Sequence, residues 1–275
     1  MMIRDLAAAV RAEATVQSRR PALGVILGVG CLLMLTFAYI IPAVGADGGP
    51  GEDRALSSML PEQFLAAPLG PLPVFAGALA LTAGALIAGS EHVEGTWTTV
   101  FVQQPRRLVV HGGKLIAVTA FAAVMLVLLF GVAAAASLTV ALIEGMPVDW
   151  PPIVDVVRAY GTGWLALTMW GAVGALLATA ARSVALPIGI GLVWILAVQN
   201  LLSVLAAPLL SWYAEAQWLL PGPAVGSVVA AVGAANSAPG VQVVADAGPA
   251  ALVLVCYLLT STLISGWLVH HRDVC

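Results

Sequence analysis

Charge is what this sequence has least of. Only 9% of its 275 residues are Asp, Glu, Lys or Arg, whereas 61% are hydrophobic and the mean hydropathy is +1.01. A soluble domain carries about 25% charged residues, so the composition excludes that class and places the chain among membrane proteins. Lysine occurs once, at Lys114, against ten arginines. With abundant Ala, Val and Gly, that usage suits a GC-rich bacterial genome. The three cysteines, Cys31, Cys256 and Cys275, form neither a disulfide framework nor a metal-ligand spacing.

Two further absences narrow the function. The phosphate loop GxxxxGK[ST] does not occur. Its nearest approach is "HGGK" (111–114), where Leu115 replaces the Ser/Thr and Leu108 the first Gly. No polar segment is long enough for a nucleotide-binding domain of ~200 residues. The chain is therefore expected to bind neither ATP nor Mg itself, and to be no enzyme. Apart from His270 at the very end of the last, the apolar runs hold no Asp, Glu, Lys or His, the residues that form proton or ion relays. This counts against a carrier driven by ion gradients and against an intramembrane enzyme.

What is present is a series of apolar runs. About 20 apolar residues cross roughly 30 Å of hydrocarbon, and six segments qualify: 22–43, 71–90, 115–143, 160–181, 184–206 and 248–270. The third is long enough to tilt or protrude. The link "ARS" makes the fourth and fifth a tight hairpin. The first exceeds the 7–15 apolar residues of a signal peptide, so it is expected to remain. The expected fold is all-α and integral to the membrane, a single transmembrane domain over 1–275 with six spans.

Basic residues orient it. With the N-terminus inside, Arg4, Arg11, Arg19, Arg20, Arg106, Arg107, Lys114, Arg182 and Arg272 all fall on the inner side, and only Arg54 and Arg158 lie outside. Both termini are then cytoplasmic, in a bacterial inner membrane. Residues 1–21 place Ile3, Leu6, Ala7, Val10 and Ala14 on one helical arc, the pattern of an amphipathic helix lying on lipid. The stretch "SSMLPEQFLAAPLG" suggests a surface helix in the first outer loop. In the last, 207–247, "AVGSVVAAVGAAN" is too short to cross and too apolar for an open loop, so it should dip into the interface or pack on the spans. Inside the spans, Gln199, Asn200, Thr260 and Ser261 are polar enough to touch a substrate, although such groups more often bond helix to helix.

One loop, 91–114, concentrates the charge. Glu91 and Glu94 follow the second span, where carboxylates oppose the helix macrodipole by about 0.3–1 kcal/mol each. Pairing with Arg106, Arg107 or Lys114 would relieve them, and so would a second helix starting near Gly95. The loop is also apolar, with Trp97, Val100, Phe101 and Val102. Exposed apolar groups rimmed by charge suggest a docking surface.

The pattern "EHVEGTWTTVFVQQPRRLVVHGGKLIAV" resembles the cytoplasmic loop of exporter-type (type-2) ABC transporter permeases. There a Glu, a Gly-Thr, hydrophobics, a Pro closely followed by Arg, and a Lys entering the third span occur in order. Here these are Glu94, Gly95, Thr96, Pro105, Arg106 or Arg107, and Lys114. "VRAEATVQSRRPALGVIL", "WLLPGPA" and the tail "HHRDVC" are similar to other segments of that family, in order along the whole chain. The tail departs in having His-His where more arginines are usual.

The resemblance implies an elbow helix at 1–21, a coupling helix within 91–114 and short re-entrant helices within 207–247. It also implies two copies of a separate ATP-binding subunit that holds ATP and Mg, and a second permease subunit in a homodimer or heterodimer. Membrane lipid is the other expected partner; nucleic acid is not. The cargo would be lipophilic or amphipathic, such as a drug, peptide or lipid. A carrier or channel without ATP, or a membrane scaffold that transports nothing, shares the hydropathy but gives no reason for the loop.

Overall fold

The computed structural model describes residues 2–46, 52–94, 107–206, 209–235 and 237–271, with backbone alone for 2–4, 45–46, 52–55, 91–94, 204 and 206. Regular structure among the described residues is entirely helical. In chain order, α1 is Met2–Ser18 and α2 is Pro21–Leu35, which continues through a π-helical turn, Thr36–Ile40, into α3, Ile41–Ala46. Then come α4 (Glu52–Met59), α5 (Ala66–Leu69), α6 (Gly77–Glu94), α7 (Arg107–Glu144) and α8 (Ile153–Ala181). The rest are α9 (Ala185–Leu192), α10 (Gln199–Leu201), α11 (Ser211–Ala216), α12 (Pro221–Ala230) and α13 (Ala247–His271).

Five helical stretches are long and apolar enough to cross a membrane: Pro21–Val44, Pro61–Ser90, Arg107–Glu144, Ile153–Ala181 and Ala247–His271. They make this a multi-pass membrane protein. The fifth expected span, 184–206, is not among them. It is an apolar helix interrupted by two π-helical stretches, Val193–Val198 and Leu202–Ala206. The 38 residues of α7 extend about 57 Å at 1.5 Å each, well beyond the hydrocarbon thickness.

α6 and α8 form the centre. Most of each is buried, whereas the first, third and last long helices bury a third or less. Small residues bring the two backbones together. A Cβ on Gly84 would overlap the Gly171 carbonyl, and one on Gly174 would overlap the Leu81 carbonyl. Ala85, Ala88, Ala175 and Ala178 fill the same seam. Hydrocarbon tails are as apolar as leucine, so helices in lipid associate through such close packing rather than through a hydrophobic drive. At the end of α8, Arg182 takes a left-handed conformation with φ 50° and turns the chain into α9.

Proline shapes the other helices. Pro21 opens α2, where its missing N–H costs nothing. Pro42 and Pro73 lack the N–H that an α-helix needs. Nearby the ladder widens: Ile41 N–H reaches the Thr36 carbonyl, and Ala76 N–H the Pro71 carbonyl at 2.8 Å.

The segment expected to be a surface helix in the first loop is largely interior. Leu69 is fully buried, and Phe64 meets Phe130 and Trp150 edge-to-face at 6.2 and 5.3 Å. Its buried residues pack against α2 and α7. In the later loop, α12 is buried from Pro221 to Val229, against α8, α13 and the Leu72–Ala76 turn. Ser227 Oγ donates to the Pro223 carbonyl and lies 3.1 Å from the Gln242 carbonyl, while Val244 N–H donates to it at 3.1 Å. The irregular backbone at Gln242 and Val244 is thus satisfied from within the protein.

Because the α6–α8 seam has no room for a side chain, Gly84→Ala is expected to destabilise by about 1–3 kcal/mol or more. Gly131→Ala, whose new Cβ meets nothing within 4 Å, should be neutral or gain up to ~1 kcal/mol. Thermal unfolding of the two variants in detergent reads the contrast.

Candidate functional site

A cluster of charged and polar side chains, Glu13, Gln17, Arg20, His111 and Lys114, gathers at the end of the bundle where α1 lies. α1 packs along the first turns of α7. Gly113 makes this possible: a Cβ there would come within 3.2 Å of the Ala9 Cβ. The face of α1 that turns inward carries Leu6, Ala9, Glu13 and Gln17, while Ala7 and Ala14 are exposed. Of the apolar arc, Leu6 thus turns toward the bundle, while Ala7 and Ala14 stay on the open side. Packing against glycine favours the small Ala9, and a buried cation draws Glu13.

That cation is Lys114, only 1% exposed. Its Nζ lies 3.9 Å from Glu13 Oε1 and donates to the Ile87 carbonyl at 3.4 Å. Gln17 Nε2 in turn donates to Glu13 Oε2 at 2.9 Å. One turn before Lys114, His111 Nε2 sits 2.9 Å from Ser265 Oγ on α13. Ser265 Oγ also lies 3.0 Å from the Thr262 carbonyl. Arg20 Nη1 reaches the Leu86 carbonyl at 3.3 Å. Polar side chains therefore tie α1, the start of α2, α6, α7 and α13 together at one end.

The loop of interest leaves from this end. α6 runs through Glu91 and Glu94 in its last turns, and Arg107 begins α7. The side chains of Glu91 and Glu94 lie outside the described part, as do Gly95, Thr96, Trp97, Phe101, Pro105 and Arg106 entirely.

The expected substrate-path residues do not form one group. Gln199 is 2% exposed, its Oε1 has no hydrogen-bond partner, and its amide lies on Gly222 at the start of α12. Asn200 instead donates to the Ile195 and Leu196 carbonyls at 3.3 and 3.1 Å, which serves the widened turn around it. Thr260 is exposed and bonds back to the Cys256 carbonyl at 2.7 Å. Ser261 is buried on α13, on the same side as Ser265. Trp170 Nε1 and Thr168 Oγ1 are also buried without partners.

Sequence reasoning missed Glu13, Gln17, His111 and Ser265 as site residues. The available signal was spacing: His111 and Lys114 share a face of α7, and Glu13 and Gln17 share a face of α1. No group of three or more His, Cys, Asp or Glu able to hold a metal occurs among the described residues. No protein-family model matches the chain and no curated protein matches it, so any functional reading rests on these residues.

Removing one member of a buried ion pair leaves the other uncompensated, at about 3–5 kcal/mol. Lys114→Ala is expected to lower stability by that order. Lys114→Met combined with Glu13→Leu should recover most of it, since apolar replacement of both partners is often near neutral. A double-mutant cycle on thermal midpoints decides: equal losses in the single and double variants would mean the pair carries no load.

Proposed function

We propose that this chain is the transmembrane permease subunit of an ATP-binding cassette exporter. In this reading the interrupted helix 184–206 is a sixth span and both termini are cytoplasmic. α1 is the elbow helix, and the short helices of 207–247 cap the pathway from outside. Residues 91–114 dock on a separate ATPase subunit, present in two copies, which binds ATP and Mg. Two permease subunits, identical or related, enclose one pathway for a lipophilic or amphipathic compound.

One observation carries the proposal: the polar ties gathered where the loop departs. A force on the loop enters the bundle through the end of α6 and the start of α7. Lys114–Glu13 passes it to α1, and His111–Ser265 passes it to α13. The tight α6–α8 seam carries it along the centre of the bundle. Such a clamped end lets a small displacement at the loop become a rigid rocking of several helices. Closure of the two ATPases would then shift the population between inward-open and outward-open states. Trp97 and Phe101 would seat in the ATPase groove. Glu94, Gly95 and Thr96 would shape the docking helix, with Glu91, Pro105, Arg106 and Arg107 at its edges.

The chain should co-purify with an ATP-binding-cassette subunit from its own cell. In the reconstituted complex, Trp97→Ala with Phe101→Ala should abolish substrate-stimulated ATP hydrolysis while leaving the permease folded. Unaltered stimulation would overturn the docking role, and transport without any ATPase would favour an ungated carrier or channel.

A further inference from the structure

At the opposite end from α1, a cavity of about 370 Å³ lies between the first long helix, the 58–75 segment and residues 235–239. Its wall is made by side chains such as Leu33, Phe37, Ala38, Ala67, Phe75 and Ala238. Ser58 and Ser237 bring the only hydroxyls, and no charged residue lines it among the described residues. This volume is within the ~300–1,000 Å³ of ligand pockets. Two π-helical turns form part of the wall, Thr36–Ile40 with Phe37 and Ala38, and Leu72–Ala76 with Phe75. Phe37 and Phe75 stack at 5.3 Å with 15° between their planes. Wide turns of this kind are rare and often accompany functional sites.

Depth identifies the occupant. Phe37 lies sixteen residues beyond Pro21, about 24 Å along a helix. If the helix enters the hydrocarbon at Pro21, Phe37 is still inside a core of roughly 30 Å. Pro42, also in the wall, reaches its far boundary. The same helix presents Val25, Leu32, Phe37, Ile40, Ile41 and Val44 as an exposed apolar stripe. Phe37, 49% exposed, belongs to both the stripe and the cavity wall. Apart from Ser58 and Ser237 the lining is apolar and offers water few partners. Left empty, its lining forfeits dispersion contacts. The material that lies along the stripe is lipid tail.

We propose that this cavity is a binding site for one hydrocarbon chain of a membrane phospholipid from the far leaflet, entering past Phe37. The site needs only that the bundle sit in a bilayer, so it stands or falls apart from the permease role.

The test uses the full chain in phospholipid nanodiscs containing a trace of phosphatidylcholine with a photoactivatable diazirine on its acyl chain. Mass spectrometry of the labelled peptides should find labelling at Leu33 and Ala67 several-fold above that at Leu252 and Leu263, exposed positions on α13. Ala38→Phe should fill the cavity and remove that excess, with α13 labelling unchanged. Ala38→Leu, a gentler filling, should reduce it in part, and Phe37→Ala should raise it by widening the entrance. Equal labelling of cavity and α13, or an excess that survives both fillings in folded protein, overturns the proposal. So does labelling of the cavity by a free lipophilic diazirine but not by the phospholipid.

Discussion

The structure depends on one contact that involves almost no side chain. Where Gly84 meets Gly171 and Gly174 meets Leu81, two helix backbones lie too close for a Cβ. In water such a seam would be a minor part of a core held by the expulsion of solvent. In lipid that drive is missing between helices, and what remains is the number of atoms at van der Waals distance. The α6–α8 seam supplies them at the centre. The other long helices pack around it and keep large residues such as Leu252, Leu263 and Trp267 outward.

Around that centre, polar groups act as fasteners. Tyr39 donates to the Ala133 carbonyl and shares a hydrogen bond with Ser137, Tyr160 donates to the Ala123 carbonyl, and Trp164 to the Thr119 carbonyl. Each ties a neighbouring helix to α7, which serves as the common post. The end near α1 uses charge for the same purpose. There a lysine is held inside, although burying a cation is costly unless it is paired and hydrogen-bonded. Expense at one place suggests that its geometry matters, and this place adjoins the loop with the densest charge.

Much of this was legible and some was not. The apolar runs announced helices long enough to cross, because hydropathy over 20 residues is a sum that local detail hardly disturbs. The fifth run concealed an irregularity. Its composition is as apolar as any, yet Val193–Val198 and Leu202–Ala206 wind more widely than an α-helix, and no proline within either stretch signals this. The first loop misled in another way. The segment around Phe64 and Leu65 read as a surface helix because a linear sequence does not show that Phe130 and Trp150 wait opposite Phe64. At the charged end, Lys114 read as a loop cation beside Arg106 and Arg107. Its burial follows from Gly113 and Ala9, which let α1 settle on it, and that is a property of two helices together.

The burial of Lys114 has a chemical consequence. It is the only lysine in the chain, so the side chains offer the surroundings no accessible primary amine. Reagents and enzymes that acylate lysine, attach ubiquitin-like tags or cross-link through amines find no exposed side-chain target here. The nucleophile is sealed between a carboxylate and a carbonyl. Such chemistry would report on it only when α1 lifts away, which makes the residue a built-in probe of that helix's undocking.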